Sequence, residues 1–176
     1  MRERLYLFDT TLRDGQQTQG VQFSTPEKRQ IALALDSLGV DYIEGGWPGA
    51  NPTDSDFFAD RPATRAVMTA FGMTKRVGRS AANDDVLAAV LDAGTPAVCL
   101  VGKAHPFHVK TALGCTLEEN LEAIRVSVAH CVAKGREALL DAEHFFDGYR
   151  ADPGYALDCL LSLIHISEPT RQAEIS

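Results

Sequence analysis

Short apolar runs alternate with amphipathic helical segments along most of this sequence. The apolar runs lie at 5–9, 40–46, 66–73, 96–102 and 136–145. Strands that alternate with helices at about 25–35 residue spacing predict parallel βα units. Because these runs are continuously apolar, we expect strands covered on both faces, as in α/β proteins.

Capping residues mark where the intervening helices begin and end. Ser24 and Pro26, with Glu27 behind them, are typical of a helix start. We expect Asn83 to cap a later helix, and a long loop to precede the helix that Thr116 opens. The predicted helices begin near 24, 53, 83, 116 and 152, and three of them stop at Gly39, Gly94 and Gly135.

Five strands are visible, and this number leaves two architectures open. A (β/α)8 barrel needs eight strands and about 250 residues, so a barrel would be incomplete here. A doubly wound sheet of five strands would be complete at this length and is the structural alternative.

Several charged side chains fall at or just after the predicted strand ends. They are Asp9, Arg13 and Asp14 after the first strand, Glu44 in the second and Glu143 in the fifth. In a (β/α)8 barrel the carboxyl ends of the strands form the catalytic rim. These residues are therefore the candidate functional residues.

Composition excludes several classes of partner. The 176 residues include 17 Lys+Arg against 24 Asp+Glu, a net charge of −7. Nucleic acids and anionic lipid surfaces attract clustered positive charge, so we expect neither as a partner. No apolar run approaches the roughly 20 residues that span a bilayer, and the first residues lack a signal-peptide pattern. We therefore expect a cytoplasmic protein.

The segment DTTLRDG at 9–15, followed by Gln17, resembles the signature of the DRE-type TIM-barrel metallolyases. This family includes isopropylmalate, homocitrate and citramalate synthases and the hydroxymethylglutaryl-CoA lyases. DYIEGGWPGANPTD at 41–54 is similar to the citramalate synthase branch, as are the segments at 71–76, 101–114 and 141–157. The resemblance implies an incomplete TIM barrel of about five N-terminal βα units over residues 1–160.

The activity implied by the resemblance is an acyl transfer by Claisen condensation. Acetyl-CoA would condense with pyruvate to give (R)-citramalate, with thioester hydrolysis, on the way to isoleucine. A 2-isopropylmalate or homocitrate synthase is the alternative within the family, and a non-catalytic interaction module is the alternative outside it. The resemblance also implies a homodimer for the full-length enzyme.

The resemblance assigns roles to three charged residues. Asp14 matches the family's metal-binding Asp, and carboxylate and imidazole ligands suit Mg, Mn or Zn. Arg13 would stabilise the enolate or alkoxide, because its guanidinium stays protonated and offers a rigid fork of N–H donors. An ion pair of Arg13 with Asp14 or Glu44 is its alternative, purely structural role. Glu143 matches a strand-end Glu that positions substrate and water or transfers protons.

Three further residues are expected at the substrate. Glu44 would hold Arg13 by a charge-assisted hydrogen bond, and Gln17 would orient substrate or a metal-bound water. His108 would contact substrate or cap the following turn, whereas His105 and His108 are not expected to form a metal pair. The family takes its histidine ligands from an HxH motif on a later strand, which this sequence lacks.

The last sixteen residues depart from the family pattern. Residues 161–176 resemble the conceptual translation of a transposase-end sequencing adapter, so we expect a non-native tail after Leu160. A short apolar helix with a polar tail is the alternative. Because the HxH ligands are missing, we expect the chain as written to lack citramalate synthase activity.

Overall fold

The computed structural model describes residues 4–164 and 166. Within this part of the chain, no helix is long and apolar enough to cross a membrane. The five expected strands are present: β1 Phe8–Asp9, β2 Tyr42–Gly46, β3 Val67–Met73, β4 Ala97–Lys103 and β5 Glu137–Glu143. Helices follow them: α1 Thr25–Leu38, α2 Pro52–Ala59, α3 Asp85–Asp92, α4 Pro106–His108, α5 Leu117–Ala133, α6 Phe145–Ala151 and α7 Pro153–Leu161. The predicted α/β class is confirmed.

The order of the strands distinguishes the two architectures that the sequence left open. The strands follow one another in the sheet in chain order, β1-β2-β3-β4-β5. The sheet is parallel, with Phe8 opposite Tyr42 in the first pair and Ile43 opposite Met68 in the second. A doubly wound sheet reverses its order at a switch point, whereas successive βα units of a barrel do not. The incomplete-barrel prediction is therefore confirmed over the doubly wound alternative.

The first strand is shorter than predicted and is not buried. Only Phe8 and Asp9 are in strand conformation, and Leu5, Tyr6 and Leu7 expose 88%, 60% and 62% of their surface. β1 lies at the edge of the sheet in the described part of the chain and pairs with β2 alone. An apolar run at a sheet edge has a neighbour on one side only, so its composition alone could not predict its burial.

The helix starts agree with the capping signals, with one correction. Ser24 and Thr116 form capping boxes with the Glu three residues later, as expected. The prediction that Asn83 caps α3 is wrong, because the side chain of Asp84 accepts from the backbone N–H groups of Val86 and Leu87. Residues Ala81–Asn83 instead form a 3-10 turn before the helix.

Two other segments differ from their predicted conformations. The segment expected to be a long loop before Thr116 contains α4 and a π-helical turn over Val109–Leu113. The fifth strand was predicted to run to 145, but β5 ends at Glu143, and His144 adopts a left-handed conformation with φ 59°. His144 directly precedes α6, a helix that the sequence did not predict.

Contacts divide the chain into two compact units. Unit 1 comprises the residues up to Gly72 together with Ala88–Cys99, and unit 2 comprises Met73–Leu87 and the residues from Leu100 onward. The core of unit 1 includes the buried side chains of Leu12, Ile43, Phe57, Met68 and Val90. The core of unit 2 is the cluster of Ala104, Val109, Ile124, Tyr155 and Cys159.

The predicted tail lies mostly beyond what the structure describes. Within 161–176, Leu161 ends α7 and residues 162–164 and 166 are described. His165 and residues 167–176 lie outside the described residues. The non-native origin of this segment stays a prediction.

Candidate active site

The DTTLRDG segment forms a tight turn that presents two of its side chains. The carboxylate of Asp9 accepts from the backbone N–H of Thr11 at 2.9 Å, which begins the turn. The carbonyl of Thr10 then accepts from the N–H groups of Arg13, Asp14 and Gly15, at 2.8–3.2 Å. Leu12 is fully buried and anchors the turn in the core of unit 1.

Three contacts hold the guanidinium of Arg13. Its Nε donates to Oε2 of Glu44 at 2.7 Å, so the expected contact between these residues is present. Its Nη1 donates to Oδ1 of Asp14 at 3.2 Å, and its Cζ lies 4.0 Å from the centroid of the Phe71 ring. Glu44 is 1% exposed and Arg13 14%, so the pair is largely shielded from water. The Arg side chain is therefore fixed before any ligand binds.

Asp14 differs from its neighbours in its exposure to solvent. Its side chain is 62% exposed, and it accepts a hydrogen bond from Arg13. A carboxylate oxygen suits a hard divalent cation, but one ligand does not make a metal site. No group of three or more His, Cys, Asp or Glu that could hold a metal occurs among the described residues. These residues alone therefore do not fit a complete metal site.

A pocket of about 670 Å³ opens beside Arg13. Its wall includes Gln17, which is exposed, and Trp47, the only tryptophan of the chain. Trp47 packs edge-on against Phe71, with ring centroids 5.5 Å apart. This volume is in the range of small-molecule sites, which are about 300–1,000 Å³. The pocket belongs to unit 1, and Arg13, Gln17 and Trp47 are brought together there.

A buried carboxylate, Asp54 of α2, joins the two loops that surround this pocket. It forms an ion pair with Lys28 of α1, and both side chains are at most 2% exposed. It also accepts from Nε2 of Gln16 at 3.2 Å and from the backbone N–H of Trp47 at 2.8 Å. Burial lowers the pKa of Lys28, while Asp54 opposes that shift. No sequence motif predicted this network.

The close approach of Asp54 to β2 explains one glycine. Gly46 has φ 145°, and a Cβ there would lie 2.4 Å from Cγ of Asp54. A side chain at this position would therefore displace the carboxylate and strain the backbone. The residues EGG at 44–46 thus provide both the partner of Arg13 and the space for Asp54.

A second group of candidate residues lies in unit 2. Glu143 is the last residue of β5, and its Oε2 forms an ion pair with Nζ of Lys103, the last residue of β4. The His108 ring stacks on His144, with centroids 4.2 Å apart and planes at 15°. His108 does not cap its turn. Instead, Nδ1 of His105 accepts from the N–H of Phe107 at 3.1 Å.

The environment of His108 favours its neutral form. Partial burial lowers its pKa, and the positive charges of His144, His105 and Lys103 act in the same direction, while Glu143 opposes them. A neutral imidazole can both donate and accept a hydrogen bond. His108 can therefore serve a polar ligand without carrying charge.

Comparisons with known proteins identify the family of the chain. The HMGL-like family model matches residues 4–160. Curated (R)-citramalate synthases from several species are 44–48% identical to this chain. The enzyme from Streptomyces coelicolor is 48% identical over 158 residues, and this match covers 88% of this chain and 30% of that protein. A 2-isopropylmalate synthase from Solidesulfovibrio magneticus is 34% identical over 160 residues, covering 86% of this chain and 29% of that protein.

Solved structures show the same fold at low sequence identity. The crystal structure of hydroxymethylglutaryl-CoA lyase from Pseudomonas aeruginosa matches with a TM-score of 0.69 at 17% identity, covering 93% of this chain and 55% of that one. The chain spans about 30% of the length of the curated relatives that it matches. Since the family model covers most of the chain and the fold agrees, the chain belongs to the HMGL-like family.

Proposed function

We propose that this chain is a segment of an acyltransferase that condenses acetyl-CoA with pyruvate to give (R)-citramalate. The observation that carries the proposal is the fixed guanidinium of Arg13, held by Glu44 and Phe71 beside a pocket of small-molecule size. The relatives support the choice of reaction, because over about 160 residues the chain is 48% identical to a citramalate synthase and 34% identical to an isopropylmalate synthase.

The reaction needs a cation where negative charge develops. A base removes a proton from the methyl group of acetyl-CoA, and the resulting enolate carbon forms a bond to the ketone carbon of pyruvate. The ketone π electrons move to oxygen, which then takes up a proton. Water finally cleaves the thioester, releasing CoA and the new carboxylate. Arg13 is suited to stabilise the enolate or alkoxide oxygen, because a preorganised donor costs no reorganisation during the reaction.

The remaining candidate residues take supporting roles in this proposal. Glu143 transfers a proton, Gln17 and His108 bind substrate, and Glu44 orients Arg13. Asp14 is proposed to contribute one carboxylate oxygen to the divalent cation that the resemblance implies. Isoleucine biosynthesis and a homodimer are further predictions that rest on the resemblance, and a cytoplasmic location is a further prediction that rests on the composition.

A hybrid enzyme tests the proposal. In it, residues 5–160 of this chain replace the matching segment of the Streptomyces coelicolor citramalate synthase. We expect CoA release from acetyl-CoA with pyruvate, and far less with 2-oxoisovalerate or 2-oxoglutarate. A preference for 2-oxoisovalerate would instead identify an isopropylmalate synthase, and a folded but inactive hybrid would favour a non-catalytic module.

Two substitutions in the hybrid enzyme separate the role of Arg13 from that of charge alone. Arg13→Lys keeps the charge but loses the planar fork, so kcat should fall by about 10²–10³-fold. Arg29→Lys, on the exposed side of α1, is the matched control and should leave kcat unchanged. Near-normal turnover of Arg13→Lys would refute the assigned role.

A further inference from the structure

The ends of β4 and β5 are joined twice, once through side chains and once through the backbone. Nζ of Lys103 pairs with Oε2 of Glu143, and the N–H of Ala104 donates to the carbonyl of Glu143 at 3.0 Å. The side chains are 16% and 35% exposed, so the ion pair is partly shielded from water. Lys103 thus engages one oxygen of the carboxylate that the proposed reaction uses.

Buried polar groups hold the backbone of Lys103 in place. Its carbonyl accepts from Nδ2 of Asn120 at 2.9 Å and from the hydroxyl of Tyr155 at 3.0 Å. Asn120 and Tyr155 also contact each other at 2.6 Å, and they are 1% and 5% exposed. Burial raises the pKa of Tyr155, so its hydroxyl stays protonated and can donate.

Two buried polar side chains meet at the carbonyl of Lys103. Burying an amide and a hydroxyl within an apolar cluster is costly unless both find partners. Here both converge on one carbonyl oxygen, at the edge of the cluster that contains Val109, Ile124 and Cys159. The core of unit 2 therefore fixes the main chain of Lys103, from which its side chain reaches Glu143.

We propose that Lys103 is a positioning residue that orients the Glu143 carboxylate for proton transfer. Its ammonium group holds Oε2 in one place, which leaves Oε1 to take up or return a proton. The inference rests on the proposed function, since it gives Glu143 its role in the same reaction. It assigns a role to a residue that the sequence motifs did not identify.

Kinetics of the hybrid enzyme test the positioning role. We expect Lys103→Met to lower kcat by about 10- to 100-fold, because a misplaced carboxylate forfeits part of the 10²–10⁴-fold contribution of acid–base catalysis. KM for pyruvate should change little, since Lys103 does not bind substrate in this proposal. Lys103→Arg keeps the cation and should recover most of kcat, whereas a merely structural lysine would show no such rescue. Lys134→Met, at the exposed end of α5, is the matched control.

A second measurement does not depend on activity. The 176-residue chain has five histidines, so the pKa of His108 can be followed by NMR titration of its imidazole. Because the charge of Lys103 lowers this pKa and that of Glu143 raises it, Lys103→Met should raise it and Glu143→Gln should lower it. Lys134→Met should leave it unchanged.

The two measurements separate the possible failures. An inactive but folded parent hybrid would refute the proposed function, and the NMR titration would still decide whether Lys103 lies at this cluster. An active hybrid whose kcat survives Lys103→Met would overturn the positioning role alone. An unchanged His108 pKa in Lys103→Met would overturn it as well.

Discussion

The buried ion pair between Lys28 and Asp54 allows a direct test of how much a buried charge contributes to the stability of this fold. Asp54→Asn keeps the shape of the side chain but removes the charge that faces Lys28. Lys28 is fully buried, and Asp54 is 2% exposed. Breaking a buried pair on one side typically costs about 3–5 kcal/mol, because the remaining charge stays buried without compensation.

Urea unfolding of the 176-residue chain measures this loss. With an m-value of about 2 kcal/mol/M, a loss of 3–5 kcal/mol shifts the midpoint by about 1.5–2.5 M. Trp47 is a local probe, since its backbone N–H donates to Asp54, and circular dichroism reports on the whole chain. Asp60→Asn is the matched control, because the Arg29–Asp60 pair is exposed and should contribute less than about 1 kcal/mol.

The pH dependence of the stability lost in Asp54→Asn tests whether the unpaired charge of Lys28 causes the loss. Burial already lowers the pKa of Lys28, and removing the Asp54 charge lowers it further. Above this lowered pKa the folded variant binds fewer protons than the unfolded chain, so its stability rises with pH. The difference in stability from the parent protein should therefore narrow as the pH rises towards about 10, where the unfolded lysine also loses its proton.

A second substitution tests whether the unpaired charge is responsible. Adding Lys28→Met to Asp54→Asn removes the buried ammonium group, and we expect most of the lost stability to return. The reasoning is refuted if Asp54→Asn costs no more than Asp60→Asn, or if Lys28→Met adds a further loss instead of a recovery.

Three further predictions address the site and its supports. Phe71→Leu in the hybrid enzyme should lower kcat by about 2- to 30-fold through loss of the cation–π contact with Arg13, while Phe71→Tyr, which keeps the ring, should not. Asp84→Asn should destabilise the 176-residue chain by up to about 1 kcal/mol at pH 7, because it removes the negative charge at the start of α3. Burial opposes ionisation of Asp84, but backbone N–H donors and Arg76 outweigh it and lower its pKa, so in acid unfolding the difference should shrink as the pH falls below about 4 and disappear only below that lowered pKa. Acetyl-CoA or pyruvate should change the fluorescence of Trp47 on binding, and an unchanged spectrum at saturating ligand would place the substrate elsewhere.

The fold could be predicted because its signals are local. Most strands are apolar runs, and most of the long helices begin at a capping residue. The alternation of strands and helices can therefore be predicted even where the boundaries are off by a few residues. Failures occurred where neighbours along the chain compete for one role. Asp84 caps α3 although Asn83 has a suitable side chain, since the 3-10 turn at Ala81–Asn83 moves the helix start by one residue.

The site could be predicted only in part, for a related reason. Arg13, Asp14 and Glu143 were found because a motif or a strand end marks them in the sequence. Lys28 and Lys103 were missed, because an isolated lysine in a helix or at a strand end normally faces solvent. Their roles depend on carboxylates 26 and 40 residues away in sequence, and only the folded chain brings those groups together.

The exposure of each residue in unit 1 indicates how its substitution should act. Asp14 is 62% exposed, so its replacement should alter function with little effect on folding. Glu44, Phe71 and Asp54 are at most 5% exposed and act through Arg13 or the pocket wall, so their replacement should lower stability as well. A substitution at one of these buried residues can lower kcat without lowering the free energy of unfolding. Such a result would show that the residue orients Arg13 and is not needed for folding. Phe71→Leu tests this support, because it keeps an apolar side chain but removes the ring that faces the guanidinium of Arg13; unfolding of the same variant gives the stability that it loses.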